Sequence, residues 1–268
     1  MKIGVVGLGV VGAAVHDGMK HIGHVVIGHD IKNEDSKITQ VLDTDICFIA
    51  VPTKTDDQGV CDTSKVEDVL RDLEEHGFTG IAAIKSTIVP GTTDRLAQAF
   101  PHLRLAFCPE FLRERVALSD FLANHDVCAI GAYRDEDYKI IKEAHGAIPR
   151  AFAQLTPTEA ELLKYFANTF NSLRIVFANE FYEVATSLGA DYSKIKDAAV
   201  KRDSISDHYL DCNEQMRGYA GVCLPKDTYA LATFVENQLG LTHLELFKTI
   251  HTENKKFRPT VPGGMRVQ

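Results

Sequence analysis

Within the stretch Gly218-Tyr219-Ala220-Gly221-Val222-Cys223-Leu224-Pro225-Lys226-Asp227, a cysteine stands just ahead of a proline suited to the first position of a helix. A helix N-terminus, with Lys226 three residues on, favours thiolate over thiol, so Cys223 has a nucleophile's surroundings. A buried structural thiol is the plain alternative, and Lys226 and Asp227 can also pair with each other. Gly218 and Gly221, either side of Tyr219 and Ala220, leave room for a substrate to approach the backbone. The other cysteines, Cys47, Cys61, Cys108, Cys128 and Cys212, are widely spaced with no CxxC pair and no histidine at ligand spacing. Neither a disulfide framework nor a metal site is expected, and most of them read as buried thiols.

Lys164 and Asn168 stand at i and i+4, with Asn171 continuing the stripe at i+7. Aimed into a cleft, they can donate to an oxygen that gains negative charge; a wet helix face gives the same pattern. In Cys108-Pro109-Glu110-Phe111-Leu112-Arg113-Glu114 two carboxylates lie four residues apart, on one face if the segment is helical. They suit an acid or base at the mouth of a sheet, or simply a solvated pair. Gly7-Leu8-Gly9-Val10-Val11-Gly12 follows an apolar run and opens a helical stretch, the context of a dinucleotide fingerprint. Asp30, 18 residues beyond Gly12, can accept from a ribose 2′-hydroxyl and repel a 2′-phosphate, which favours NAD over NADP. Val51-Pro52-Thr53 and the segment from Ser86 and Thr87 to Thr93 each follow an apolar run. They suit a nicotinamide-ribose lining, or turns ending in N-caps.

The elements that must position these residues are legible as alternating periodicities. Short β-branched runs near 2–6, 24–29, 46–51, 80–84, 103–107 and 126–131, and a last one near 150–153, alternate with helical stretches. That alternation predicts an α/β fold: a Rossmann-type parallel sheet covered on both faces, spanning residues 1–155. Thr156-Pro157-Thr158-Glu159 then combines an N-cap, a first-turn proline and a capping-box glutamate. A long helix over 157–189 follows, with Leu162, Phe166, Phe170, Leu173, Phe177, Phe181, Val184 and Leu188 on one stripe and Gly189 as C-cap. It predicts a spine between domains or a dimer seam. Further helices near 191–202, 225–239 and 241–256 complete a smaller all-α domain over 156–257, and 258–268 reads as an irregular tail.

With 268 residues, 45% hydrophobic and 25% charged, the chain has the composition of a globular protein, and no apolar run approaches the roughly 18–20 residues of a membrane span. Lys and Arg number 29 against 37 Asp and Glu, a net charge of −8 and the wrong sign for a phosphate-backbone binder. Neither a membrane nor nucleic acid is expected as a partner. Met1-Lys2-Ile3-Gly4-Val5-Val6 enters a strand directly, without a signal peptide's regions, so a cytoplasmic location is expected.

Taken together, the glycine fingerprint with Asp30, Val51-Pro52-Thr53, Ser86 to Thr93, Pro109 to Glu114, Glu161 to Asn168 and Gly221 to Asp227 resemble the UDP-glucose/GDP-mannose dehydrogenase family. The resemblance runs from residue 1 to about 250 and implies twofold oxidation of a sugar primary alcohol to a carboxylate with two NAD+. It implies that Cys223 forms a thiohemiacetal and then a thioester, and that Glu110 activates the hydrolytic water. By the same resemblance, Lys164 and Asn168 steady the alkoxide or oxyanion and Asp227 assists proton removal. Gly7, Gly9, Val10, Val11, Gly12, Asp30, Val51, Thr53, Ser86, Thr87, Glu114 and Lys226 fall on the cofactor side, Thr87 also being a catalytic candidate. Glu110, Phe111, Leu112, Lys164, Asn168, Gly218, Tyr219 and Gly221 fall on the substrate side. The implied substrate is a nucleotide sugar or a sugar, the implied assembly a homodimer through the long helix. Two departures stand out: Cys108 replaces the family's usual asparagine, and the family's C-terminal nucleotide-binding domain has no counterpart in the sequence. A fragment, a chain completed by a partner, or an enzyme for a smaller sugar would each fit the latter. A single-hydride β-hydroxyacid dehydrogenase and a non-catalytic NAD-binding subunit are the competing readings, and Cys223 separates the first of these from the dehydrogenase of sugars.

Overall fold

A computed structural model describes residues 1–221 and 223–257. The chain divides into two compact units: residues 1–54 with 61–164, and residues 55–60 with 165–268. The tail expected over 258–268 lies outside the described residues.

The first unit is built on seven strands: β1 (Lys2–Val6), β2 (Val25–His29), β3 (Ile46–Ile49), β4 (Ile81–Ile84), β5 (Arg104–Phe107), β6 (Val127–Ala132) and β7 (Ala151–Leu155). They lie in the order β2-β1-β3-β4-β5-β6-β7. Ile46-Cys47-Phe48-Ile49 and Ile81-Ala82-Ala83-Ile84 are buried along their whole length, as continuous apolar strands covered on both faces must be. On one face, Cys47, Ile49, Ile84 and Phe107 pack against Val66, Leu70 and Leu73 of α2 (Ser64–Glu75) and Leu96 of α3 (Thr92–Ala99). On the other, Ile3, Val5 and Phe48 pack against Val15 and Met19 of α1 (Val10–Ile22), Phe121 of α4 (Ala117–Ala123) and Ile141 of α5 (Asp135–His145). The Rossmann-type α/β expectation holds, with one correction. β1 to β5 run parallel, but β6 pairs antiparallel with β5, through Phe107 opposite Gly131, and β7 runs parallel to β6. An apolar run reads alike in either direction, so periodicity carries no sign for this reversal.

Helix α6 (Pro157–Ser187) begins in the first unit and continues in the second. Its capping box forms as expected: Glu159 Oε2 accepts the Thr156 N–H at 2.7 Å, and the Glu159 N–H reaches Thr156 Oγ1 at 3.3 Å. Gly189, with φ 68°, and Ala190 close its C-terminus onto the Thr186 and Ala185 carbonyls. The apolar stripe that the spacing selects is the outward one. Leu162, Phe166, Phe170, Phe177, Phe181, Val184 and Leu188 are exposed, while Tyr165, Asn168, Ser172, Ile175, Val176 and Asn179 are buried.

In the second unit α7 (Tyr192–Ala199) starts at an Asp191 cap, and Tyr192 packs with Ala178, Ala185, Leu210 and Cys212. α8 (Leu224–Thr233) passes into one wide turn over 234–238, and α9 (Leu246–Asn254) follows. The helix expected from 241 begins five residues later, because Gly240 takes φ 65° and Leu244 closes a turn on Leu241. Among the described residues no helix is long and apolar enough to cross a membrane.

Candidate active site

The C-terminal ends of β1, β3, β4 and β5 bring Gly7, Val51, Ser86 and Cys108 to one edge of the sheet, the edge at which open α/β folds bind ligands. At the first of these, Gly7 takes φ 86°, and a Cβ there would lie 2.7 Å from the Ala50 carbonyl oxygen. Gly12 is tighter: a Cβ would stand 1.7 Å from the Gly7 oxygen. Gly9 differs, since a Cβ there meets nothing within 4 Å. The fold therefore requires Gly7 and Gly12 for its own turn, while bare Gly9 leaves a space that suits a pyrophosphate.

Gly9 caps α1 with no side-chain acceptor, and the first turn holds no acidic residue, so its N–H groups can serve an anion. Val10 is exposed at this turn and Val11 partly buried. Asp30 accepts the Lys32 N–H at 2.9 Å and the Leu8 N–H at 2.7 Å, and these bonds hold its carboxyl below the usual carboxylate range. It stays an anion beside the turn, as a ribose diol requires. These residues fit a dinucleotide.

The hydroxyls at the next two strand ends are committed to the chain. Thr53 Oγ1 donates to the Thr87 carbonyl at 2.6 Å, and Ser86 Oγ to the Val51 carbonyl at 2.7 Å. They brace the two loops, and each keeps lone pairs for a ligand donor. Glu161 braces the second loop from α6, accepting Gly91 N–H at 2.6 Å, Thr93 N–H at 2.8 Å and Thr93 Oγ1–H at 2.6 Å. Burial pushes its carboxyl up to about 7, against those three donors.

After β5 the segment 108–113 is not helical, so the shared helix face for Glu110 and Glu114 lapses; Glu114 opens a short turn over 114–116. Phe111 and Leu112 are partly buried. Glu110 itself is buried: Oε2 lies 3.3 Å from Lys85 Nζ, and Oε1 accepts the Phe111 N–H at 2.9 Å. Lys164 donates to the Glu110 carbonyl and holds its ammonium 5.3 Å from the Phe111 ring centre. Thus Lys164 and Glu110 do meet, and Lys85 is a partner that sequence reasoning missed. Its only signal is a lysine ending the run Ile81-Ala82-Ala83-Ile84.

Three residues from different elements meet nearby: Cys108, Cys128 and His145 are buried, with one ligand atom of each within 4.8 Å of the others. Spacing along the chain cannot reveal such a trio. Lys85 Nζ stands 3.6 Å from Cys108 Sγ and places a positive charge where a cation would add another.

In the second unit Cys223 is exposed at the N-cap of α8, with Pro225 in the first turn. Lys226 does not simply face it: its ammonium pairs with Asp227 Oδ1 at 2.6 Å. Asp227 is fully buried, and Oδ2 accepts Asn168 Nδ2–H at 2.6 Å. Asn168 on α6 and Asp227 and Lys226 in the first turn of α8 form one polar chain. Gly221, with φ 88°, has open space where a Cβ would be. Tyr219 is packed with Ile175, Val176 and Ile250, and Asn254 ties its backbone at both N–H and C=O. Gly218 donates to Asn179 Oδ1 at 3.1 Å. Tyr219 and Gly218 thereby act as anchors of this loop, with the tyrosine ring directed into the core.

Residues 35–148 match the model of the UDP-glucose/GDP-mannose dehydrogenase family's NAD-binding domain, and residues 158–256 that of its central domain. A solved UDP-glucose dehydrogenase from Pyrobaculum islandicum superposes with a TM-score of 0.86 at 30% identity, over 95% of this chain and 68% of that one. GDP-mannose 6-dehydrogenase of Pseudomonas aeruginosa is 28% identical over 76% of this chain and 49% of its own length. UDP-glucose 6-dehydrogenase of Streptococcus pneumoniae is 34% identical over 70% of this chain and 50% of its own. The chain spans about half the length of the curated relatives it matches.

Proposed function

The chain belongs to the UDP-glucose/GDP-mannose dehydrogenase family, and from that premise we propose that it oxidises the primary alcohol of a nucleotide sugar twice, to the carboxylate, through Cys223. The observation that carries this reading is an exposed cysteine at the N-terminus of α8, backed by the buried Asn168–Asp227 hydrogen bond. A single-hydride alcohol dehydrogenase has no use for such a nucleophile.

Two NAD+, bound one after the other, would each accept one hydride; Gly7, Gly9, Gly12, Val10, Val11 and Asp30 would hold them, and Val51, Thr53, Ser86, Thr87 and Glu114 fall on the cofactor side by the family resemblance. The chain's own residues handle protons and carbon. In the first half-reaction Asp227, through a water, takes the alcohol proton, and Lys164 and Asn168 donate to the developing alkoxide. Lys226 offsets the charge of Asp227 within the fold and adds a cation on the cofactor side. The aldehyde formed has no second hydride to give until a nucleophile adds, so Cys223 Sγ bonds to its carbon and yields a thiohemiacetal. Further oxidation leaves a thioester on Cys223. Glu110 then removes a proton from water, whose oxygen attacks the acyl carbon; the C–S bond breaks, the carboxylate leaves and the thiol is restored. By the family resemblance, Phe111 and Leu112 in the first unit and Gly218, Tyr219 and Gly221 in the second are assigned to the sugar.

The first unit serves as the cofactor domain in this reading and the second as the sugar domain. The exposed stripe Phe166, Phe170, Phe177, Phe181, Val184 and Leu188 is the contact of a homodimer, since an apolar face of this length on a monomer is unusual. The test of the reaction is to count NADH at 340 nm per sugar consumed, across UDP- and GDP-sugars. Two per sugar is the expected result; one per sugar replaces the reading with single hydride transfer, and none with any sugar refutes it.

A further inference from the structure

We propose that Lys85 is a positioning residue for Glu110: its ammonium, sealed within the first unit, fixes the rotamer of the carboxylate assigned to thioester hydrolysis. The catalytic half of that statement rests on the reading above; the physical half does not.

Lys85 directly follows β4, and its side chain is only 1% exposed. Instead of reaching for water, it turns into the layer between the sheet and its helices, 5.2 Å from the centre of the Phe48 ring. A buried ammonium must find acceptors and an opposite charge. Those it finds belong to one short segment at the end of β5: Glu110 Oε2 at 3.3 Å, the Cys108 carbonyl at 3.4 Å and Cys108 Sγ at 3.6 Å. Burial alone would lower its pKa, but the negative charge drawn to Cys108 and Glu110 outweighs burial and raises it. Lys85 is therefore a fixed cation.

Glu110 is held from both sides. Lys85 takes Oε2, the Phe111 N–H takes Oε1, and Lys164 on α6 holds the backbone carbonyl of the same residue. The remaining titratable groups of this layer cannot replace Lys85. Burial lowers the pKa of His125, and His145 is pushed down to about 3, so neither is a cation near neutral pH. The Cys108 thiol is lowered by its hydrogen bond with Cys128 and by Lys85, and Cys128 is raised, so one negative charge at most is shared between them. Lys85 is the cation whose removal leaves Glu110 beside a sulfur that competes for negative charge.

The experiment follows the Glu110 carboxyl by 13Cδ NMR in glutamate-labelled full chain, with Glu110→Gln as the assignment control, in wild type, Lys85→Met and Lys85→Arg. The Glu110 13Cδ resonance, read at one near-neutral pH, moves away from its wild-type position in Lys85→Met, where Oε2 loses its partner, and stays near it in Lys85→Arg. If Lys85→Met does not fold, the reciprocal readout is the Lys85 15Nζ resonance, whose titration moves down in Glu110→Gln. In turnover, Lys85→Met gives a burst of NADH and then stalls, and Lys85→Arg restores steady turnover. An unchanged Glu110 resonance in folded Lys85→Met, or an unchanged Lys85 titration in Glu110→Gln, overturns the inference. Absence of any sugar oxidation by wild type overturns the functional reading instead, while the two resonances still decide whether Lys85 positions Glu110.

Discussion

Two glycines of the same turn are expected to fail for opposite reasons when each gains one methyl group. At Gly12 a Cβ would stand 1.7 Å from the Gly7 carbonyl oxygen and 2.9 Å from its carbon. Both are backbone atoms, so relief needs a shift of more than an ångström between α1 and the end of β1. Overpacking of this kind costs about 3 kcal/mol or more, which for a domain of this size lowers Tm by about 6–12 °C. At Gly9 the Cβ meets nothing, and its φ of −68° and ψ of −165° suit any residue. The small loss in capping on replacing glycine by alanine, about 0.5–1 kcal/mol, is offset by a similar gain from a stiffer unfolded chain. Gly9→Ala is thus expected to melt within about 2 °C of wild type yet to bind NAD+ about 10- to 100-fold more weakly, on the order of 1.4–2.8 kcal/mol. Thermal unfolding and calorimetric titration with NAD+ read the two effects separately. Gly9→Ala with wild-type affinity would show that the pyrophosphate does not lie over this turn; a stable, unperturbed Gly12→Ala would refute the steric argument itself.

Cys223→Ser is expected to keep NAD+ affinity and to release no more than one NADH per sugar, with two per sugar excluding a thioester route. Glu161 carries a pH prediction: its carboxyl sits at about 7 in the fold against an ordinary 4.5. A raised value contributes stability that is full below about 4.5 and lost as pH rises through 7, up to about 3 kcal/mol. Urea unfolding should show wild type losing that much relative to Glu161→Gln between pH 4.5 and 8; parallel curves would mean that the three donors keep the carboxylate ionised throughout. Phe177→Glu with Phe181→Glu, on the exposed stripe of α6, is expected to convert a dimer to a folded monomer by light scattering, and a monomeric wild type would remove the proposed assembly.

Features set by neighbours in the sequence were legible. Gly7-Leu8-Gly9-Val10-Val11-Gly12 reads as a turn because steric limits on φ and backbone approach act within a few residues. The Thr156 and Glu159 capping box, the span of α6 and the start of α8 beside Cys223 follow equally local rules of hydrogen bonding and ring geometry. The seven strands were visible as apolar runs. Their sense was not, and β6 runs opposite to β5 because an apolar run has no polarity until its partner is known.

Everything that depends on distant segments was decided by the fold. Lys85 and Glu110 are 25 residues apart and pair because β4 and β5 are neighbours; Asn168 and Asp227 are 59 apart and meet because α8 packs on α6. The Lys226 pairing with Asp227, the burial of Tyr219 and the outward turn of the α6 stripe are likewise outcomes of competition for water and for partners. A sequence names the charges, the rings and the periodicities. Which charge leaves water, and which carboxylate it must then satisfy, is fixed only when the strands that carry them are laid side by side.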